Sequence, residues 1–255
     1  MGRVIAIANQ KGGVGKTTTA INLSAALAAK NKRVLLIDSD PQGNATTGLG
    51  INKNNVENTF YDLLMGNAEF IDTKVRVDLF NSLDILPTDI QLSGAEVELI
   101  DFDERQYILK NVLNKNCVRE LYDYVIIDCP PSLNILTLNA LVAADEVIIP
   151  LQCEFFAMEG LSQFIHTYKL VKKKLNSAIK IDGIVFTMYD SRTNLSLQVV
   201  EEVKRFMGTD YVYCIVPRAV RVGEAPSHGL PINLYDPKCP ATDAYEMLSE
   251  IVDDI

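Results

Sequence analysis

The amino-acid sequence predicts an α/β fold in which helices flank a central, mostly parallel β-sheet. Short apolar runs alternate with longer segments of helical spacing, which is the order of parallel strands joined by crossover helices. The apolar runs are nearly continuous, as expected for strands that are buried on both faces. No internal repeat, low-complexity tract or linker interrupts the chain, so residues 1–255 are expected to form a single domain.

The strand predictions rest on β-branched and apolar runs, and the helix predictions on periodic segments without proline. Strands are expected at residues 4–8, 34–37, 83–86, 124–127, 147–149, 184–187 and 211–216, and helices at residues 17–30, 161–175 and 195–206. Pro150 and Pro217 are expected to end the strands that precede them. The stretches 43–60 and 70–80 are irregular and are expected to be surface loops or short excursions.

The composition is that of a globular protein with reduced thiols. Hydrophobic residues make up 48% of the chain and charged residues 22%. The cysteines are odd in number and scattered, without a C-x-x-C pair: Cys117, Cys129, Cys153, Cys214 and Cys239. This usage predicts a cytoplasmic protein and argues against a disulfide framework or a zinc site. The apolar runs are only strand-length and the N-terminus lacks a signal-peptide pattern, so no membrane partner is expected.

The charge is distributed unevenly along the chain. The net charge of −9 at first argues against a nucleic-acid partner. Residues 169–221, however, contain ten Lys and Arg against five Asp and Glu, whereas the remainder has 14 basic and 28 acidic residues. A basic segment in an acidic chain is compatible with solvated helix faces and also with a polyanionic partner.

A glycine-rich loop lies between the first predicted strand and the first predicted helix. Its sequence is QKGGVGKTT, at residues 10–18. Glycines let the backbone turn so that several N–H groups point at one anion, and the helix start adds its positive dipole end. Lys16 is expected to reach the β- and γ-phosphates of a nucleotide, and the Thr17 hydroxyl to bind Mg²⁺. The predicted nucleotide-binding residues of this loop are Lys11, Gly12, Gly13, Val14, Gly15, Lys16, Thr17 and Thr18. The loop makes the expected architecture the three-layer P-loop nucleoside-triphosphatase fold.

The loop departs from the general pattern G-x-x-x-x-G-K-[ST] at its first position. Gln10 stands where glycine is usual, and a second lysine, Lys11, follows it. The ammonium group of Lys11 starts on the outer lip of the loop, from which its own phosphates are awkward to reach. Nucleotide held by a second subunit is within its reach, although a plain surface lysine is the alternative.

Three aspartates follow predicted strands at the edge where α/β sheets hold their ligands. Asp38 and Asp40 close the second strand, and Asp128 ends the strand YVIID. A carboxylate at Asp128 can hold a Mg²⁺-bound water, because Mg²⁺ keeps several waters and takes few protein ligands. Each aspartate could instead serve a turn or cap a helix. Spacing alone does not rank Asp38 against Asp40 for catalysis.

The sequence resembles a known family. KGGVGKTT is similar to the deviant Walker A box of the ParA/MinD class of P-loop ATPases, and the resemblance is closest to chromosome-partitioning ParA proteins of the short Soj type. It continues through most of the chain, in VLLIDSDPQGNATTGLG (34–50), YVIIDCPPSLN (124–134), PLQCEFFAMEGLSQ (150–163) and VRVGEAPSHGLPI (220–232).

The resemblance implies roles for individual residues. Lys11 would cross the interface of an ATP-dependent homodimer to the partner's ATP, and Asp40 would position the attacking water. Asp38 would support the loops or the outer shell of Mg²⁺. The segment around Pro217 and Arg218 would hold the adenine, with backbone contacts because many relatives have Asn where this chain has Ala219. Hydrolysis of ATP would be slow, since the useful state is the ATP-bound one.

The resemblance also implies an output. An ATP-bound dimer would bind double-stranded DNA without sequence preference through Arg192 and Arg221. It would associate with the nucleoid and partition chromosomal or plasmid DNA with a ParB-like, centromere-binding protein. One alternative is a membrane-cycling ATPase of the MinD type, but the segment SEIVDDI is acidic where such proteins carry a basic amphipathic helix. A second is an iron–sulfur or metal-carrying relative, whose cysteine spacing this chain lacks.

Overall fold

The computed structural model describes residues 1–208 and 211–254. In this part of the chain, eight strands form one sheet. They are β1 (Arg3–Ile7), β2 (Val34–Asp38), β3 (Val75–Arg76), β4 (Leu83–Leu86), β5 (Tyr124–Asp128), β6 (Glu146–Gln152), β7 (Lys180–Tyr189) and β8 (Val212–Pro217). Their order in the sheet is β3-β4-β2-β5-β1-β6-β7-β8, and every neighbouring pair is parallel except β3 with β4. The predicted α/β fold with a mostly parallel sheet is confirmed.

Helices connect the strands. They are α1 (Lys16–Ala29), α2 (Asn44–Gly48), α3 (Phe60–Met65), α4 (Phe70–Thr73), α5 (Leu92–Glu98), α6 (Ile108–Lys115), α7 (Val118–Leu121), α8 (Ile135–Ala143), α9 (Ala157–Lys174), α10 (Asn194–Met207), α11 (Val220–Glu224), α12 (Ile232–Tyr235) and α13 (Pro240–Asp254). Short 3-10 helices lie at Lys53–Asn55, Leu99–Asp101, Arg105–Tyr107 and Ala225–His228. The predicted helices at 17–30, 161–175 and 195–206 correspond to α1, α9 and α10.

The central strands are apolar because helices cover both faces of the sheet. Every residue of β2 and β5 is buried. One core cluster contains Phe164 of α9 and Phe186 of β7, and the other contains Leu27 of α1 and Leu248 of α13. Strands of this kind read as continuous hydrophobic runs rather than alternating ones. Each cluster joins one face of the sheet to the helices that cover it, which gives the three predicted layers of helices, sheet and helices.

Strand β6 runs through Pro150 to Gln152, so the expectation that Pro150 ends this strand is wrong. Pairing of β6 with β1 ends at Ile148, whereas pairing with β7 continues to Gln152. A proline beyond Ile148 therefore removes no ladder hydrogen bond on the β1 side. Its carbonyl oxygen accepts a hydrogen bond from Asn9 Nδ2 at 2.7 Å. Pro217, by contrast, is the last residue of β8, an edge strand, so this strand ends at its proline as expected.

The two stretches expected to be irregular contain short elements. Residues 43–60 include α2, and residues 70–80 include α4 and the two-residue strand β3, which is antiparallel to β4. Elements of two to five residues are too short for a hydrophobic period to be read. Their position matters, because α2 follows directly on Asp38 and Asp40.

Sheet register brings the predicted carboxylates to one place. In the paired strands, Asp38 lies opposite Asp128, and Asp128 lies opposite Ile7 on its other side. The carboxyl ends of β2, β5 and β1 thus meet at a single edge. The loop that follows β1 starts from the same edge, as expected for a ligand-binding crevice in an α/β protein.

The contribution of the buried Asn176 side chain to the stability of the fold can be tested. Its side-chain amide is buried and donates to the carbonyl oxygens of Leu141, Val142 and Ala144 at 3.0, 3.2 and 2.7 Å, at the C-terminal end of α8. These carbonyls lack intrahelical partners. We expect Asn176→Ala to lower the free energy of unfolding by about 1–3 kcal/mol in urea titrations. Asn54→Ala, at an exposed position, is the control, and equal unfolding midpoints for the two variants would contradict the assignment.

Candidate nucleotide-binding site

The loop between β1 and α1 has the backbone of an anion-binding site. Gly13 and Gly15 adopt positive φ angles of 74° and 86°, a region that favours glycine. Gly15 is the N-cap of α1 and provides no side-chain acceptor, so no cap hydrogen bond covers the first N–H groups of the helix. Gly12 is exposed, while Thr17 and Thr18 are half-buried. A glycine-lined turn ending at an uncapped helix start suits a phosphate.

A neighbouring strand holds the loop in place. Thr187 Oγ1 of β7 donates to the carbonyl oxygen of buried Val14 at 2.8 Å. A Cβ atom at Gly15 would lie 3.3 Å from Thr187 Cγ2, which leaves little room for any other residue. Sequence analysis missed Thr187 as a site residue. Its signal is a polar side chain near the carboxyl end of an apolar strand.

Lys16 is folded over the loop. Only 6% of the residue is exposed, and its Nζ donates to the carbonyl oxygen of Lys11 at 2.9 Å. Burial lowers the pKa of Lys16, although the nearby carboxylates of Asp128 and Asp40 favour its charged form. The ammonium group therefore lies between the predicted phosphate loop and the predicted metal-binding edge.

The carboxylate of Asp38 accepts hydrogen bonds that stabilise the start of α2. It is fully buried, and its Oδ2 accepts hydrogen bonds from the backbone N–H of Thr46 at 2.7 Å and from Thr46 Oγ1 at 2.6 Å. Thr46 Oγ1 in turn accepts from the N–H of Thr88 at 3.0 Å. Burial raises the pKa of Asp38 to about 6. This carboxylate ties α2 to the end of β2, which agrees with the implied support of the loops. Its other oxygen, Oδ1, has no hydrogen bond among the described residues.

Asp128 is a buried carboxylate without a hydrogen-bonding partner. Neither of its carboxylate oxygens makes a hydrogen bond within residues 1–208 and 211–254. Burial and the neighbouring Asp38 raise its pKa well above the usual range, while the nearby Thr17 hydroxyl acts in the opposite direction without reaching hydrogen-bond geometry. An ionised carboxylate in this position is costly unless a cation or a polar ligand satisfies it. These oxygens and the Thr17 hydroxyl are hard donors that fit Mg²⁺ and its waters.

Asp40 lies in a turn at the mouth of the site. Its Oδ1 accepts from the N–H of Gln42 at 3.0 Å, and its carbonyl oxygen accepts from the N–H of Gly43 at 2.7 Å. The residue is 9% exposed. The turn role that the sequence left open is therefore real. The carboxylate is also near enough to Lys16 to favour the charged ammonium.

Lys11 forms an ion pair within its own chain. Its Nζ lies 2.5 Å from Glu154 Oε1, with 28% of the lysine side chain and 41% of the glutamate side chain exposed. Glu154 follows β6 and was not singled out by sequence analysis. Two exposed phenylalanines come next, Phe155 and Phe156, with ring centroids 5.1 Å apart in an edge-to-face arrangement. Lys11 thus lies on an exposed surface with a strong apolar component.

A cavity of about 210 Å³ adjoins the loop. Gly15 and Thr18 line it on the loop side, and Pro217, Arg218 and Ala219 line it on the β8 side. The structure thus brings the two predicted adenine-contacting residues, Pro217 and Arg218, next to the phosphate loop. A larger cavity of about 540 Å³ lies between α8 and α9, and its lining contains none of the predicted catalytic, nucleotide-binding, metal-binding or DNA-contacting residues.

The two predicted DNA-contacting arginines lie outside this cavity. Arg192 is largely exposed and forms two side-chain hydrogen bonds with Asp190, at 2.8 and 2.7 Å, which lower the pKa of Asp190 to about 2. Arg221 contacts Glu224 at 3.0 Å and Asp236 at 3.8 Å. Each arginine is therefore already paired with at least one acid.

Two features of the described residues bear on the alternative functions. No helix within residues 1–208 and 211–254 is long and apolar enough to cross a membrane. Within the same residues, no group of three or more His, Cys, Asp or Glu side chains could hold a metal ion. Cys117 is exposed, and the other four cysteines are buried as free thiols.

Comparisons with known proteins place the chain among its relatives. Residues 2–181 match a family model described as an AAA domain. The chain is similar to the sporulation initiation inhibitor protein Soj of Bacillus subtilis (strain 168), with 53% identity over 99% of this chain and 98% of that protein. It is equally similar to the chromosome partitioning protein ParA of Caulobacter vibrioides (strain NA1000 / CB15N), with 53% identity over 98% and 93% of the two chains. It also resembles the solved structure of cobyrinic acid a,c-diamide synthase from Mycobacterium smegmatis with bound ADP and magnesium, at 39% identity and a TM-score of 0.85, covering 98% of this chain and 93% of that one.

The parallel sheet and the glycine loop between β1 and α1 define a P-loop nucleoside triphosphatase. The sequence identity of 53% to named relatives extends over nearly their whole length, so the family within this class can also be assigned. The chain belongs to the Soj/ParA family of chromosome-partitioning ATPases. The membrane-cycling and iron–sulfur alternatives are not favoured by these similarities.

The link between Asp38 and Thr46 can be tested by stability. We expect Thr46→Val to lower the free energy of unfolding by about 1–3 kcal/mol, because it removes one hydrogen bond to the buried Asp38 and leaves the N–H of Thr88 without its acceptor. Urea denaturation measures the change. The control is Thr47→Val, one residue along the same helix but exposed, for which a change within about 0.5 kcal/mol is expected. A Thr46→Val protein as stable as the control would remove Asp38 from this supporting role.

Proposed function

We propose that this chain is a Mg²⁺-dependent ATPase that dimerises on binding ATP, binds DNA without sequence preference and partitions it with a ParB-like partner. The observation that carries the ATPase part is the orphaned Asp128 carboxylate beside the uncapped loop and Lys16. The partitioning part is supported by the named relatives Soj and ParA, at 53% identity. The whole chain works as one ATPase domain in this proposal.

Phosphoryl transfer asks mainly for positioning and charge neutralisation. The N–H groups of the loop from Gly12 to Thr18 hold the β- and γ-phosphates, and Lys16 places its positive charge beside them. Mg²⁺, when bound, supplies further neutralisation of the phosphate charge; Thr17 would hold it directly, Asp128 through a water, and Asp38 from the outer shell. Asp40 orients the water that attacks the terminal phosphate.

The cavity beside the loop is the proposed site for the base. Its position next to Gly15 and Thr18 suits the adenosine part of ATP when the phosphates lie in the loop. Ala219 offers no side-chain hydrogen bond, so the backbone around Pro217 and Arg218 is the proposed source of polar contacts with the adenine.

The proposed dimer gives Lys11 a second partner. In the monomer, Lys11 is paired with Glu154 on an exposed surface next to Phe155 and Phe156. When two copies meet through their ATP-binding faces, Lys11 exchanges Glu154 for the phosphates of the nucleotide in the other copy. ATP then holds the dimer together, and slow hydrolysis ends its lifetime.

The proposed output is movement of DNA. The segment 169–221 carries a net charge of +5, which suits a polyanion, and it includes Arg192; Arg221 closes it. The ATP-bound dimer associates with the nucleoid in this proposal. The rest of the chain is strongly acidic and suits a basic segment of the ParB-like protein, which stimulates hydrolysis and releases the dimer.

Two variants separate nucleotide binding from hydrolysis. We expect Lys16→Ala to abolish ATP binding, because the loop loses its buried positive charge. We expect Asp40→Ala to bind ATP but to lose turnover, because the substitution removes the proposed water-orienting carboxylate, together with one turn hydrogen bond from the N–H of Gln42. Equilibrium binding of a fluorescent ATP analogue and phosphate release measure the two effects. Normal hydrolysis by Asp40→Ala would show that the catalytic assignment is wrong.

The DNA-binding part is tested with the Asp40→Ala protein and a fluorescent duplex of arbitrary sequence. Binding that requires ATP, is absent with ADP and weakens steeply between 50 and 200 mM salt is the expected result, since phosphate contacts release counterions. Lys16→Ala serves as the control that cannot load ATP. Lack of binding with both nucleotides would leave the ATPase proposal in place but reject DNA as its cargo.

A further inference from the structure

A second cavity, of about 450 Å³, opens at the carboxyl ends of β7 and β8. We call it the arginine notch. Residues of both strand ends and of the loops that follow them line it: Tyr189, Asp190, Arg192, Pro217, Arg218 and Val220. The N–H of Arg218 donates to the carbonyl oxygen of Tyr189 at 2.9 Å and fixes the backbone where the two strands end. The loops that line the notch are therefore anchored at the ends of two paired strands.

The two guanidinium groups in the arginine notch differ in whether they have a hydrogen-bonding partner. Arg192 is held by two hydrogen bonds to Asp190. Arg218 is exposed, and within residues 1–208 and 211–254 its guanidinium makes neither an ion pair nor a hydrogen bond. Two guanidinium groups against one carboxylate leave one positive charge over, and Arg218 carries it without a fixed partner.

The position of the Arg218 guanidinium decides which cavity it serves. Pro217 and Arg218 line both the arginine notch and the proposed base cavity, so these two residues form a shared wall. Arg218 lines the notch together with Asp190, which does not line the base cavity. Its charge adds to the hydrogen bonds of Arg192 in lowering the pKa of Asp190, so the carboxylate on which it acts lies on the notch side of the shared wall.

We propose that Arg218 binds a phosphate of duplex DNA in the arginine notch, together with Arg192, rather than contacting the nucleotide with its side chain. The proposal rests on the DNA-binding function proposed above. A guanidinium matches the two oxygens of a phosphate in a bidentate way, and an unpaired one has no existing ion pair to give up. Arg218 therefore contributes at least as much to DNA affinity as Arg192, which must share its hydrogen bonds with Asp190.

The shared wall gives this contact a direct relation to the nucleotide. A base in the adjoining cavity packs against the backbone of Pro217 and Arg218, and this restricts the residue that carries the DNA contact. ATP binding and DNA binding then act on the same two residues, without a long path between the sites.

The test compares Arg218→Ala with the unsubstituted chain, both full-length and saturated with a non-hydrolysable ATP analogue. Affinity for a fluorescent 30-base-pair duplex is measured from 50 to 200 mM KCl, and affinity for a fluorescent ATP analogue is measured separately. We expect DNA affinity to fall about eightfold at 0.1 M salt, and the slope of log affinity against log salt to decrease by about 0.9, for each Arg218 that touches a phosphate. The nucleotide affinity separates a side-chain role of Arg218 in the base cavity from the proposed DNA contact, because only the former would weaken binding of the ATP analogue.

Two matched variants complete the design. Arg33→Ala removes the same charge from an exposed arginine at the opposite end of the sheet and is expected to leave DNA binding unchanged. Arg218→Lys keeps the charge and is expected to restore most of the salt dependence, though not the bidentate contact. Loss of affinity equal to that of Arg33→Ala would mean that only net charge matters and would overturn the proposal.

The remaining outcomes are also decisive. If Arg218→Ala binds DNA as the unsubstituted chain does, the inference falls and the proposed function stands. If the variant loses nucleotide affinity and recovers DNA binding at higher nucleotide concentration, its side chain belongs to the base cavity and the inference is overturned. If the unsubstituted chain does not bind DNA, the proposed function fails, and this inference fails with it.

Discussion

The structure depends on two carboxylates buried side by side at one edge of the sheet. Asp38 and Asp128 end neighbouring strands, and both are fully buried. Like charges in such a place are costly unless each finds partners. Two hydrogen bonds from Thr46 offset part of the cost of burying Asp38, and they hold α2 and the turn containing Asp40 at the end of β2. Asp128 finds no hydrogen-bonding partner among the described residues, and the Mg²⁺ proposed above would compensate its charge.

The surroundings of this pair follow from that constraint. Lys16 lies over the loop between the two aspartates and the phosphate site, where burial lowers its pKa and the carboxylates of Asp128 and Asp40 offset part of that effect. Thr187 fixes Val14 and leaves space only for a glycine at position 15. Nucleotide phosphates would bring more negative charge into this arrangement than one Mg²⁺ neutralises, and Lys16 and the N–H groups of the loop would balance part of the remainder. Binding and folding are therefore linked through the same buried groups.

The sequence predicted the sheet, its main helices and the loop, because continuous apolar strands and a glycine loop before a helix are strong local signals. It also placed Asp38 and Asp128 at the ends of strands on the ligand-binding edge, although the pairing that sets them opposite each other is visible only in the structure. It could not supply Thr46, Thr187 or Glu154, because each acts through a contact distant in sequence. Strand β3 was missed because two residues are too few to form a recognisable pattern. Pro150 was assigned to a strand end because the sequence does not show that β6 still pairs with β7 after its pairing with β1 has ended.

The ion pair between Lys11 and Glu154 has a consequence for timing. In the proposed cycle, the ion pair of Lys11 with Glu154 must break before the lysine reaches a second copy. Breaking it would contribute to the activation barrier for association before the two surfaces are in contact. After hydrolysis, Glu154 is already positioned to take the lysine back. The hydrolysis of ATP would supply the direction of the cycle, and the ion pair with Glu154 would compete with a second copy for the released lysine. An exposed glutamate next to the loop would in this way oppose re-association of two spent monomers.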